Sequence, residues 1–134
     1  MDKLYQDTEK RQTERIDVNF VVIYNVNSPL SVRMMVGNQE VVAIAVNLSE
    51  GGIAISTNYE LPVSTLVKIR FILLNEKSPV ISERMKSIEV TGDVRHSFLN
   101  QKNVYQIGIS FIDLADSERQ FIAGFIKLEK RSRQ

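Results

Sequence analysis

Apolar and polar positions alternate along most of this chain with the two-residue period of half-buried strands. From Leu66 to Leu74, Val67, Ile69, Phe71 and Leu73 share one side while Lys68 and Arg70 take the other. Ile88, Val90 and Val94 alternate with Glu89, Thr91, Asp93 and Arg95. Tyr105, Ile107, Ile109 and Phe111 alternate with Gln106, Gly108 and Ser110. Three further runs read as strands: the β-branched and aromatic Val18–Tyr24, the apolar Val41–Val46 and the alternating Ile53–Ser56. Ser31–Val36 is short enough to be a small extra strand between the turn signals Asn27-Ser28-Pro29 and Gly37-Asn38. Gly92 and Gly108, inside strands, mark bends or close backbone approach of the kind a curved sheet needs.

After residue 115 the period lengthens. Asp116 or Ser117 is the expected helix cap, and Phe121, Ile122, Phe125, Ile126 and Leu128 form an apolar stripe at helical spacing. Lys127, Lys130 and Arg131 fall near its end, where the helix dipole favours cations and solvent surrounds them. The pattern therefore predicts an all-β fold with one C-terminal helix, a small antiparallel barrel of about six strands. Residues 1–16 hold few apolar anchors and read as a flexible N-terminal arm. Residues 17–130 form the barrel and helix, and 131–134 a tail.

Composition narrows the function. The 134 residues suffice for one domain with its own core. With 17 basic and 16 acidic side chains, net charge is +1, without the basic excess that a long nucleic acid demands. An oligonucleotide-binding barrel would also need stacking platforms and a basic groove. No cysteine and a single histidine, His96, leave no thiol nucleophile, no usual zinc cluster and no serine triad except through His96. Asp113 and Asp116 sit where helix caps belong. A binding protein is expected, not an enzyme, with no cofactor or metal. The polar N-terminus and lack of a long apolar run predict a cytoplasmic protein without membrane insertion.

Two polar stretches remain. Arg11-Gln12-Thr13-Glu14-Arg15 has the form R-x-x-x-R, and Asn47-Leu48-Ser49-Glu50-Gly51-Gly52 the form N-x-S-x-x-G. Each alone has a structural explanation: a solvated charged arm, and a tight turn in which Asn and Ser bond their own backbone. Chemically, paired guanidiniums suit phosphates, aromatic rings and the O6 and N7 acceptors of guanine. Asn47 and Ser49 are small polar groups at a strand end, and Gly51 and Gly52 permit close approach.

Taken together, and followed by Gly92-Asp93-Val94 and Tyr105–Ile112, these motifs resemble the PilZ domain, a bacterial receptor module for cyclic di-GMP. The resemblance spans residues 10 to about 128. It implies that Arg11 and Arg15 grip guanine and phosphate as the arm folds over the barrel. Asn47 and Ser49 would bond the guanine edge, beside the permissive Gly51 and Gly52. Lys10 stands where the family often has a third arginine associated with a stacked ligand dimer, and His96 lies near a position where an aromatic side chain often flanks the ligand. The resemblance further implies signalling to a protein partner, with outputs such as motility, polysaccharide or pilus control. A ligand-independent adaptor of the same fold is the alternative, although such members typically lack these motif positions.

Overall fold

The computed structural model describes residues 14–133 except Lys77; Lys10 and Arg11 lie outside the described residues. Six strands close into a barrel. They are β1 (Arg15–Ser28), β2 (Val41–Ser49), β3 (Gly52–Thr57), β4 (Leu66–Leu74), β5 (Met85–Leu99) and β6 (Tyr105–Phe111), in the order β1-β2-β3-β6-β5-β4. Every pairing is antiparallel, and β1 closes the ring by pairing with both β2 and β4. Each strand thus has a hydrogen-bonded neighbour on both sides, although the β1–β4 seam pairs only Ile23–Ser28 with Leu66–Arg70. Closure shortens the edges that could template aggregation.

The alternation read from the sequence sets which side faces in. Val67, Ile69, Phe71 and Leu73 are buried, as are Ile88, Val90, Val94, Ile107 and Ile109, while Lys68 and Arg70 are exposed. Phe71 lies between Phe20 and Phe111, with ring centroids 5.7 and 6.4 Å away. One polar pair sits inside: the Tyr24 hydroxyl and Thr57 Oγ1 are 2.8 Å apart, each satisfying the other. Burial pushes the Tyr24 phenol up to about 12, with the Thr57 hydrogen bond acting against the shift.

Four expectations change. Leu30–Met35 is a short helix, α1, not a strand. Val32 inside it and Val36 at its C-cap, one helical turn apart, are buried, and a four-residue spacing of apolar anchors fits a helix and not a pleat. Strand β1 begins at Arg15, so Arg15 and the buried Ile16 are in the barrel wall, where the sequence reading put them in the arm. The C-terminal helix, α2 (Asp116–Ser132), is N-capped by Ala115 instead of Asp116 or Ser117. Alanine has no side-chain oxygen to accept a first-turn amide; only the reciprocal half of a capping box is made, with Glu118 accepting the Ala115 N–H at 3.3 Å. Asp113, expected as a cap, accepts the Thr91 N–H at 2.9 Å.

Helix α2 buries Ile122, Phe125 and Ile126 and packs against β1 and β2. It therefore lies beside the strands that carry Arg15 and the Asn47–Ser49 segment. None of the helices among the described residues is long and apolar enough to cross a membrane.

Candidate functional site

Arg15, the last residue of the first motif, meets the second motif because β1 and β2 are neighbours. Arg15 is the register partner of Ser49, and Asp17 that of Asn47. Beyond them, β3 and β6 run side by side with small residues on their outer face: Gly52 opposite Ser110, Ala54 opposite Gly108. The result is an open cleft of about 950 Å³ on the outside of the barrel. Arg15, Asn47, Ser49, Gly51 and Gly52 line one side, His96 and Arg95 the other, with Gln106, Gly108 and Ser110 on the floor. That volume falls in the range of pockets that take a nucleotide-sized ligand.

Local irregularities aim the side chains. The β2–β3 register shifts between Ala45 and Asn47, and the β5–β6 register between Val94 and His96. A bulge turns the chain and re-aims the next residue, and these two border the cleft on opposite sides. Asn47 is half-buried at the rim, while Arg15, Arg95 and His96 are exposed. Arg95 meets Asp93 at 3.6 Å, yet its side chain is 67% exposed, so this surface pair holds the guanidinium only weakly.

Ser49 occupies a different position from its neighbours. It is 3% exposed, and its Oγ accepts the N–H groups of Gly51 at 3.2 Å and Gly52 at 3.1 Å. The same hydroxyl lies 3.4 Å from the Gly52 carbonyl, to which it donates. Its visible work is thus to hold the turn of the motif. Gly52 is required by packing: a Cβ there would overlap the Ile109 backbone carbonyl across the β3–β6 pair. At Gly108 a Cβ would collide with the His96 imidazole, so the histidine lies over the glycine. His96 also stacks near Phe98, with centroids 6.3 Å apart. The lone histidine of the sequence is therefore a wall of the cleft.

Sequence reasoning placed Lys10, Arg11, Arg15, Asn47, Ser49, Gly51 and Gly52 at the site, with His96 as an additional contact; Arg15, Asn47, Ser49, Gly51, Gly52 and His96 line the cleft, and Lys10 and Arg11 lie outside the described residues. It missed Arg95, Gln106 and Ser110. Their outward alternation was visible, but their meeting with the first two motifs depends on the order in which the strands close. Among the described residues no group of His, Cys, Asp or Glu is arranged to hold a metal ion.

Cations of α2 and its C-cap reach the motif turn and the start of β1. Lys130 Nζ is 2.7 Å from Glu14 Oε2, and this hydrogen-bonded contact, with the Lys130 charge, holds the Glu14 carboxyl below the usual carboxylate range. Lys130 was expected to be simply solvated. Arg119 donates to the Glu50 carbonyl at 3.4 Å, and Arg133 to the Asp17 carbonyl at 2.7 Å.

A closed six-stranded barrel with an external cleft at Arg15 and the N-x-S-x-x-G segment defines a class, and comparison with known families names it. The PilZ domain model matches residues 9–128, so the chain belongs to the PilZ domain family. Solved structures agree on the fold. The inhibitor of motility MotI/DgrA of Bacillus subtilis superposes with a TM-score of 0.71 at 19% identity, covering 92% of this chain and 53% of that one. This chain thus spans about half the length of MotI. The PilZ domain of YcgR from Escherichia coli, solved with c-di-GMP, gives a TM-score of 0.58 at 12% identity, covering 92% and 95% of the two chains. The MrkH–c-di-GMP complex of K. pneumonia gives 0.61 at 13% identity, covering 92% and 55%. No curated protein sequence matches significantly.

Proposed function

We propose that the chain is a non-enzymatic receptor for cyclic di-GMP. The observation that carries this reading is the convergence of Arg15, Asn47 and the Ser49–Gly52 turn on one nucleotide-sized cleft, in a chain of this family. A guanidinium at Arg15 matches either a phosphate or the O6/N7 edge of guanine. Asn47 carries an amide that both donates and accepts, as a guanine edge requires. The small residues Gly52, Ala54 and Ser110 let a purine lie against the sheet, and the His96 ring, lying over Gly108, offers a stacking face beside it. Membership of a family whose similar structures include two c-di-GMP complexes supports the same ligand.

Arg11 lies four residues before Arg15 and Lys10 directly precedes it. In this reading both join the ligand as residues 1–13 close over the cleft, and the composite surface is what a protein partner recognises. The ordering entropy of that segment must be exceeded by the arginine contacts. Lys10 keeps positive charge but lacks the planar fork. Motility control is the output favoured by the likeness to an inhibitor of motility.

Titration calorimetry of the protein with cyclic di-GMP, beside Arg11→Ala, Arg15→Ala and Asn47→Ala, tests the reading. Saturable binding that each substitution weakens supports it, and the molar ratio reports what Lys10 permits. Equal binding by all four proteins, or no binding by the unaltered one, overturns it.

A further inference from the structure

Three cations of α2 and its C-cap reach the backbone or side chains of the segments that build the cleft. Arg119 in the first turns donates to the carbonyl of Glu50, the residue after Ser49. Lys130 near the helix end pairs with Glu14, the residue before Arg15. Arg133 just beyond it donates to the carbonyl of Asp17, the register partner of Asn47. Each tie lands one residue from a cleft residue or directly across the ladder from one.

The two arginine contacts share a further feature. Glu50 belongs to the turn between β2 and β3, outside the ladder, and Asp17 stands where the β1–β2 register begins to slip. At such places the sheet does least to fix the backbone, and an external donor fixes it instead. Meanwhile the apolar stripe of Ile122, Phe125 and Ile126 anchors α2 in the core. The helix is thus a rigid bar whose ends hold both irregular segments.

We propose that Arg119 and Arg133 are positioning residues for the cleft: they act from the opposite side of the motif backbone and set the spacing between the Arg15 strand and the Ser49–Gly52 turn. They do not line the cleft themselves. By reciprocity, a ligand bridging those two segments tightens the helix on the barrel. This inference rests on the cyclic di-GMP reading for its ligand and on the geometry alone for its structural part.

The test separates the two. In unliganded protein, Arg119→Met speeds amide hydrogen exchange at Gly51 and Gly52, and Arg133→Met does so at the start of β1. Unchanged exchange at both places overturns the proposal whatever the ligand does. With cyclic di-GMP, measured well below the melting temperature, each variant weakens affinity about fivefold, the size expected for one lost hydrogen bond. Arg119→Lys and Arg133→Lys retain affinity, because each contact uses one N–H. Arg131→Met removes a charge from the same helix and leaves affinity within twofold. Loss in Arg131→Met equal to that in the other two overturns positioning in favour of long-range charge, and unaltered affinity in both Met variants overturns it too. Failure of the unaltered protein to bind refutes the ligand, while the exchange result still decides the positioning.

Discussion

Adding one methyl group to the cleft floor distinguishes a binding surface from a structural seam. At Gly108 the new Cβ would fall within the ring of His96. That imidazole is on an exposed residue, so it can rotate into solvent. Little packing is lost, and the stability of Gly108→Ala should change by less than about 1 kcal/mol. The cleft changes more, because the floor rises and the ring leaves its place over the glycine. Loss of one stacking face is worth about 1–3 kcal/mol, which corresponds to an affinity loss of about 5- to 150-fold.

Gly52→Ala behaves differently. There the Cβ meets the Ile109 backbone carbonyl, which cannot move without parting β3 from β6. Overpacking of this kind costs about 1–3 kcal/mol, and at about 4 °C per kcal/mol the melting temperature falls by roughly 4–12 °C. Thermal melting by circular dichroism and ligand titration on the same samples provide the assay. The reasoning is refuted if Gly108→Ala melts as low as Gly52→Ala, or if it binds ligand as well as the unaltered protein.

Further outcomes follow from individual contacts. Ser49→Ala removes the acceptor for two amides and should lower stability by about 1–2 kcal/mol together with affinity, whereas Asn47→Ala should lower affinity with melting temperature within 2 °C. Tyr24, raised to about 12 in the fold against an ordinary 10, contributes stability that is complete below pH 10 and lost as pH rises towards 12. The loss is of the order of 2 kcal/mol, and in Tyr24→Phe the alkaline decline measured by urea unfolding should shrink accordingly. Lys130→Met should return the Glu14 carboxyl towards the ordinary range, read by NMR titration of its side chain.

Much of the barrel was legible because one face of each strand must be apolar and the other wet. The inward sets of β4, β5 and β6 follow directly from alternation, and the α2 stripe from the 3.6-residue period. Leu30–Met35 was misread because six residues hold fewer than two helical turns, and Val32 with Val36 was the signal to weigh. The Ala115 cap was hidden because alanine carries no capping oxygen, and its only mark is the Ala115 N–H donated to Glu118, three residues later. Half the cleft was legible as motifs. The other half, Arg95 with Gln106 and Ser110, is brought there by β6 pairing with β3 and by the slip at Val94–His96, which no local pattern encodes. Ser49 shows the opposite case: the bland turn reading describes its observed hydrogen bonds, and the turn is part of the site.

The central claim, that cyclic di-GMP binds this external face, is tested most directly by NMR titration of the ¹⁵N-labelled protein. The account predicts saturable amide shifts at Arg15, Asn47, Gly51, Gly52, Ala54, His96, Gly108 and Ser110, with the buried β4 amides of Ile69 and Phe71 unmoved. Shifts that centre on another face of the barrel, or none at saturating ligand, would contradict it.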